Sequence, residues 1–343
     1  MAHAPLSAQY SLEAPKRSTG SELLAVFEPQ RQVLQSSSAL IMDGRDESGY
    51  GVVISPEGHI LTKASEFTRL KKPLVVVDKK RYKEVKLLGI DKQWDVCLIK
   101  IDAKDLKPVE YAESSELALG SWVVTNGATS RFRRRLLMGV ISAKPHRIPP
   151  AGGLMLGLTL KKEDAGLVVQ KVTANSGAKD AGLKQKDVVL TANGKSVKEV
   201  KELLEIIEQL HTGSRVELGI KRGDEDMSFE VELAPKEQLM PKPSRNDMMS
   251  GDFSTRRSDF PRVVQHSILG NSKSVGGPLL NLEGQCVGMN IARANRAESF
   301  AIPCEELQKI AARLMAGEGA AEQPPKAPDE TAEKSLRVVI PDQ

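Results

Sequence analysis

A mainly β architecture, antiparallel barrels or sandwiches flanking a smaller α+β unit, is predicted by three features of the sequence. From about Ser48 to Pro145, short apolar runs follow one another at close spacing, with turn residues between them and almost no helical periodicity. Between 152 and 236 a helical stripe is set among alternating strands. After about 260 the short apolar runs resume.

Taken in order, residues 1–45 read as an N-terminal extension in which Leu23, Leu24 and Phe27 space a short helix. Residues 51–54 run into the turn Ser55-Pro56-Glu57-Gly58 and continue as 59–62. Runs at 74–77, 85–90, 96–101, 122–124 and 136–141 complete the first series. The pattern changes at Pro149-Pro150-Ala151-Gly152-Gly153. Residues 154–160 and 167–172 are strand-like. Residues 197–210 place Val200, Leu203, Leu204, Ile207 and Leu210 on one helical face, with Gly213 beyond its end. Residues 216–220 and 229–233 alternate around a turn. Residues 152–236 are thus a compact unit near the smallest size that folds alone. A polar connector, 237–255, leads to strands at 262–265 and 285–291 and a helix from Glu305 to about Ala316. Residues 317–343 read as a disordered tail by composition, with the apolar run Leu336 to Ile340 able to add a strand to this molecule or another.

Composition narrows the function. The chain has 343 residues and a net charge of only +4, so bulk electrostatics demands neither nucleic acid nor an anionic membrane. Aromatics at 4% leave little for base stacking. No apolar run approaches the roughly 18 residues of a membrane helix. Three cysteines, Cys97, Cys286 and Cys304, are too few and too apolar in setting for a disulfide framework and read as buried hydrophobes.

Two segments flanking the α+β unit look like parts of one domain. Residues 51–62, with Asp95-Val96-Cys97-Leu98-Ile99-Lys100-Ile101, resemble the opening and catalytic-aspartate strands of the HtrA/Deg family of trypsin-like proteases. Val264-Gln265-His266-Ser267, residues 276–284 and Phe300-Ala301-Ile302-Pro303 resemble its nucleophile loop and closing strand. The resemblance covers most of 48–146 and 260–315 in the right order. It implies a trypsin-like double β-barrel split between 46–148 and 256–316. The unit at 152–236 resembles a PDZ domain through Met155-Leu156-Gly157-Leu158, residues 176–183, Asp187-Val188-Val189-Leu190 and Asn193-Gly194. It would be inserted within the second barrel, where surface loops tolerate insertions if their ends lie close together.

A trypsin-like protease needs a serine oxygen to attack, an imidazole to take its proton, a carboxylate to orient the ring and N–H groups for the oxyanion. The family's L-T-N-x-H-V turn aligns with Leu61-Thr62-Lys63-Ala64-Ser65-Glu66, placing Ser65 at the imidazole. Its G-N-S-G-G-P loop aligns with residues 273–278, placing Val275 at the nucleophile and Lys273 at an oxyanion-hole glycine. Asp95 alone keeps its residue type. Valine has no nucleophile and a serine hydroxyl is no base near neutral pH. The resemblance therefore implies a degenerate member with no intact catalytic set.

Possible substitutes each have a plainer reading. Ser274 lies one position early, and His266 reads as a structural histidine. Lys63 with Ser65 suggests a Ser–Lys dyad only by adjacency, and Cys97, on the strand face of Asp95, reads as a core thiol. Five scattered histidines and no Cys-x-x-Cys predict neither metal nor cofactor.

Binding is better supported. In a PDZ groove an extended peptide adds as a strand and its end is held by loop N–H groups. Leu156, Gly157 and Leu158 are the loop candidates; Leu160, Val200, Leu204 and Ile207 would line the pocket, the helical stripe also serving as core. The run Arg131-Phe132-Arg133-Arg134-Arg135 and the pair Arg256-Arg257 read as solvated faces.

The sequence thus leads to an HtrA-like pseudoprotease that binds extended or C-terminal peptides in scaffolding or protein quality control. The alternatives are an active serine-type endopeptidase using a non-standard group, and a structural assembly protein. The partner is a polypeptide or protein C-terminus rather than nucleic acid, with no transmembrane segment and homo-oligomerisation left open. The resemblance implies the bacterial periplasm or cell envelope, although no signal segment is visible at the start of the sequence.

Overall fold

The computed structural model describes residues 13, 15, 20–129, 134–164, 166–240, 249 and 252–319. Helices α1 (Ser21–Val26) and α2 (Glu28–Ser37) lead directly into β1 (Ser38–Asp43). With β2 (Asp46–Val53), β3 (His59–Lys63), β4 (Pro73–Val77), β5 (Lys80–Tyr82), β6 (Val85–Asp91) and β7 (Val96–Ile101), β1 forms a sheet of order β5-β4-β1-β2-β3-β7-β6. The short helix α3 (Ala64–Phe67) follows β3. Ile41, Val53, Ile60, Val75, Cys97 and Ile99 pack inside it. The expected extension over 1–45 is therefore wrong in its last part. Strand β1 sits mid-sheet between β2 and β4, but its apolar run is too short for alternation to show, and only its partners identify it.

Strands β8 (Trp122–Thr129) and β9 (Arg134–Ile148) begin a second body. The chain then leaves it through the ribbon β10 (Leu154–Met155) and enters a sheet of β11 (Leu158–Glu163), β12 (Gly166–Val172), β13 (Val188–Ala192), β15 (Arg215–Arg222) and β16 (Glu225–Glu232), with β14 (Lys195–Ser196) beside β13. Helices α4 (Gly177–Asp180), α5 (Val200–Ile207) and α6 (Lys236–Leu239) complete this unit, and β17 (Ala234–Pro235) closes the ribbon with β10. Its core, including Leu167, Val169, Leu203, Val216 and Leu218, is separate from those of the flanking bodies. Helix α5 is shorter than the apolar stripe over 197–210. The side chain of Glu199 caps it and Glu202 reaches back to the Glu199 N–H, so the reciprocal cap fixes its start.

The chain returns as β18 (Phe260–His266), β19 (Pro278–Leu280), β20 (Cys286–Arg293) and β21 (Ser299–Pro303). With β8 and β9 these close a six-stranded barrel of order β18-β21-β20-β19-β8-β9. Phe260 lies opposite Ile148, so the two ends of the intervening unit meet as neighbouring strands. That juxtaposition lets a whole folded unit sit between them without opening the barrel.

Helix α7 (Cys304–Met315) buries Leu307, Ile310 and Leu314 against both bodies. The tail expected to be disordered from 317 starts as ordered chain: Ile90 N–H donates to Gly319 C=O at 2.9 Å. Residues 320–343, including 336–340, lie outside the described residues, as do Arg131 to Arg133 and most of the 237–255 connector.

Three of the arginines predicted to be solvated, Arg134, Arg256 and Arg257, are a correction, while Arg135 is exposed as expected. Arg134 is buried and donates to Leu34 C=O (2.9 Å) and Ser38 C=O (2.7 Å). Arg256 is buried, donates to the carbonyls of Lys92, Gln93 (2.7 Å) and Asp259 (2.9 Å), and lies 5.0 Å above the Phe260 ring. Arg257 is half-buried, its guanidinium 4.1 Å from the Phe253 ring centre. A guanidinium's five donors can gather carbonyls that no strand satisfies, a use invisible in a charge count.

Candidate functional site

Strand β3 ends at Lys63 and turns into α3, which brings Ser65 to Asp95 just ahead of β7. Asp95 holds that turn: its carbonyl accepts from Ala64 N–H (2.8 Å), Oδ1 from Ser65 N–H (2.7 Å) and Oδ2 from Ser65 Oγ (2.8 Å). Asp95 is buried with φ +58°, a left-handed conformation that Asp tolerates better than most residues. The fully buried Lys63 ammonium lies 3.7 Å from Asp95 Oδ2 and donates to Arg256 C=O at 2.8 Å. Burial pushes its pKa down, and Asp95 opposes that shift. The sequence thus brings Ser65 and Asp95 together, with the serine hydroxyl on the carboxylate where the resemblance implies an imidazole.

Val275 reaches the same region from the other barrel. Its side chain is buried, and its carbonyl accepts from Tyr50 N–H at 2.9 Å. The flanking backbone is paired as well: Gly276 N–H donates to Asn290 C=O (2.6 Å) and Asn290 N–H to Gly277 C=O (2.9 Å). Lys273 sits in a single 3-10 turn over Ser272–Ser274, and its N–H donates to Asn271 Oδ1 at 3.0 Å. Ser274 Oγ donates to the same Asn271 oxygen (3.0 Å), turned back into its own loop. The cavities on the two sides of Val275 are about 20 and 10 Å3. Each holds about one water.

The other nucleophile and base candidates are enclosed. His266 is buried between Ile268 N–H, which donates to Nδ1 (3.3 Å), and Asn290 Oδ1, 2.8 Å from Nε2. These partners place the proton on Nε2, and burial depresses the pKa to about 4. Burial pushes the Cys97 thiol well up, with the Asp95 charge adding to it. Burial also carries Cys286 and Cys304 up to about 12.

In the inserted unit the geometry is open. Gly157 joins β10 to β11 at φ +88°, and a Cβ there would meet Ser176 Cβ at 2.2 Å, so only glycine fits. Among the described residues neither Leu156 N–H nor Gly157 N–H donates to a backbone carbonyl. Strand β11 is a sheet edge, with Leu158 and Leu160 half-buried. On α5, Val200 and Leu204 remain 38% and 46% exposed, while Leu203 and Ile207 turn inward. The sequence-named pocket residue Ile207 is therefore core, and the side chain of the loop candidate Leu156 is likewise buried in the unit's interior. Lys162 on β11 and Glu199 before α5 bridge the two elements at 2.6 Å. Sequence reasoning missed the junction at Asp259, whose Oδ2 accepts from both Thr212 N–H and Oγ1 at 2.6 Å. No sequence signal marks that pairing, since both residues sit in polar loops.

Residues 155–233 match the PDZ domain model and residues 49–179 the trypsin-like peptidase domain model. The chain combines the fold of a trypsin-like peptidase with a PDZ domain. Its homologues are HtrA/DegP-like proteases. One, "Probable periplasmic serine endoprotease DegP-like" of Pseudomonas savastanoi pv. phaseolicola, is 35% identical over 101 residues, 29% of this chain and 21% of the relative. A protein of the same name from Hahella chejuensis is 32% identical over 102 residues, 30% and 22% of the two chains. The matched part is thus about a fifth of the length of these curated relatives. The Rv3671c protease in an inactive form superposes with a TM-score of 0.47 and 15% identity, over 89% of this chain and 99% of that one. A second structure of it, from M. tuberculosis H37Rv, gives 0.46 and 15%, over 88% and 94%.

The peptidase match runs past β9 into the PDZ unit, where Asn175-Ser176-Gly177 mimics the N-S-G of a nucleophile loop. In the structure Ser176 is buried: its Oγ donates to Thr173 C=O (2.7 Å) and caps α4 by accepting from Lys179 N–H. The strands that complete the barrel resume only at Phe260.

Proposed function

We propose that this chain is a catalytically inactive HtrA-like pseudoprotease that binds extended or C-terminal peptides through its PDZ domain. Its role on this reading is scaffolding or protein quality control in the bacterial envelope or in the periplasm, the latter being the compartment in its relatives' names. The observation that carries the reading is Val275, buried in the loop that the resemblance assigns to the nucleophile, with its neighbours' backbone groups already paired. Ser65 on Asp95 supports it, because an ion-paired carboxylate is a weak base for a hydroxyl and the Lys63 ammonium is engaged by Asp95 and the Arg256 carbonyl. The binding half rests on the two open loop amides, the edge strand β11 and the exposed Val200 and Leu204.

The test combines two measurements on the full chain. Incubation with a fluorophosphonate probe and with unfolded casein is expected to give neither label nor fragments. A library of peptides with free C-termini is expected to yield ligands whose binding is lost in Leu204→Glu. Covalent labelling together with casein turnover that tracks protein concentration would overturn inactivity. Peptides that bind the Leu204→Glu protein equally well would overturn the groove.

A further inference from the structure

A groove of about 930 Å3, which shares Phe67 and Leu70 with one of the small cavities beside Val275, lies between β6, the end of α7, the α3–β4 segment and the PDZ loop at His211 to Arg215. Its wall is apolar where Phe67, Leu70, Pro73, Val85, Leu87 and Leu314 face it. The segment that supplies three of these, residues 69–86, carries eight basic and two acidic side chains, a net +6. The whole chain is +4, so everything else sums to −2. All eight basic residues are exposed, and none forms an ion pair among the described residues. An unneutralised basic hairpin beside an apolar groove fits an acidic polypeptide with apolar anchors.

We propose that the occupant is residues 320–343 of the same chain, laid along β6 as an added strand by the run from Leu336 to Ile340. Strand β6 is an edge of its sheet among the described residues, and an edge offers its N–H and C=O groups to a further strand. Pairing has already begun there. Gly319 lines the groove, and its carbonyl takes the Ile90 N–H at 2.9 Å. The chain therefore continues from the groove itself. Residues 320–343 hold five acidic and three basic side chains, a net −2 opposite the +6 segment. Leu336, Val338 and Ile340 alternate, so a strand would put all three on one face, toward the apolar wall. The sixteen intervening residues reach roughly 50 Å when extended, so the tether permits docking at high effective concentration. This inference is independent of the proposed inactivity and of peptide binding by the PDZ domain.

Hydrogen–deuterium exchange on the full chain and on a version ending at Gly319 tests it. The amides of β6 are expected to exchange about tenfold or more slowly in the full chain, at any protein concentration. A synthetic 320–343 peptide should restore that protection to the shortened chain, and one carrying Leu336→Asp and Val338→Asp should not. Because a truncation alone can loosen α7, the full-length Lys71→Glu/Lys72→Glu variant gives a second reading: both side chains are exposed, and β6 protection should fall. Equal exchange in the two chains would overturn the proposal. Protection that grows with protein concentration would assign the segment to a second copy, and so would overturn it as well. It also fails if a scrambled acidic peptide protects equally. The remaining contrary outcome is peptide protection that Leu204→Glu abolishes and Lys71→Glu/Lys72→Glu leaves intact, which would place the segment in the PDZ groove.

Discussion

The loop around Val275 and the groove beside α5 treat the same materials in opposite ways. In the barrel, Lys273 N–H, Gly276 N–H and Val275 C=O all have partners within the protein, and the cavities beside Val275 are about 20 and 10 Å3, with a surface pocket of about 320 Å3 over Ser272 and Lys273. In the PDZ unit, a glycine at φ +88° leaves two loop N–H groups without backbone acceptors, while Val200 and Leu204 stay exposed opposite an edge strand. On the proposed reading, recognition rests on the groups a fold leaves unpaired, and resemblance alone does not tell which those are.

The comparison breaks most easily at Asp95. If the barrel loop is a structural element, Asp95 works by holding Ser65 and balancing buried Lys63, so Asp95→Ala should destabilise the protein by about 3–5 kcal/mol, the usual effect of stranding a buried charge. Denaturation followed by fluorescence of the neighbouring Trp94 measures it. A change below about 1 kcal/mol, within the range of an ordinary surface substitution or little more, would show the network to be incidental.

His266 gives the next largest effect, and its sign is fixed. Its folded pKa, about 4, lies below the unfolded value near 6.5, because burial disfavours the charged ring. The unfolded chain therefore takes up the proton first as pH falls. The neutral ring's contribution is complete above about 6.5 and is lost down to about 4, amounting to roughly 3 kcal/mol. His266→Gln, which keeps a donor for Asn290, should flatten that part of the stability profile. An unchanged slope between pH 6.5 and 4 would assign the acid sensitivity to other groups.

Binding should respond on a smaller energy scale and at a different place. Leu204→Glu removes an exposed apolar anchor, so peptide affinity should fall about ten- to a hundredfold while stability moves by no more than about 0.5 kcal/mol. Fluorescence polarisation and thermal melts separate the two. A loss of stability equal to the loss of affinity would make Leu204 a core residue rather than a groove residue.

Much of this was legible in the sequence, and what was not has identifiable physical causes. Short β runs and a single helical stripe specify the mainly β architecture, and the motifs alone align Ser65, Asp95 and Val275. Strand β1 was missed because its burial comes from partners on both sides. Arg134 and Arg256 were misread because a buried guanidinium and a solvated one look alike in sequence; only the carbonyls of Leu34, Ser38, Gln93 and Asp259 distinguish them. Helix periodicity placed Val200, Leu203, Leu204 and Ile207 on one face, yet that face is wide enough to be divided between core and groove. Net charge hid the basic segment, since the whole chain's +4 does not show that residues 69–86 carry +6 and everything else −2.

The smallest expected effect is the most discriminating. Restoring residue types alone, with Ser65→His, Val275→Ser and Lys273→Gly together, should leave ester hydrolysis at the background rate. A triad acts only when an acyl group can be held beside the nucleophile with donors on its oxygen. Here the cavities around Val275 are about 20 and 10 Å3, too small for a side chain of substrate. Gly276 N–H, beside the reinstated serine, is bound to Asn290 C=O, and Asn271 closes the turn that a glycine at 273 would have to reopen. A chromogenic ester assay reads the rate, and its control carries Ser65→His and Lys273→Gly with Val275→Ala in place of the serine. A rise of about a thousandfold over that control, the scale of an oxyanion hole in working order, would show that the loop retains its catalytic shape and that only side chains separate this barrel from a protease.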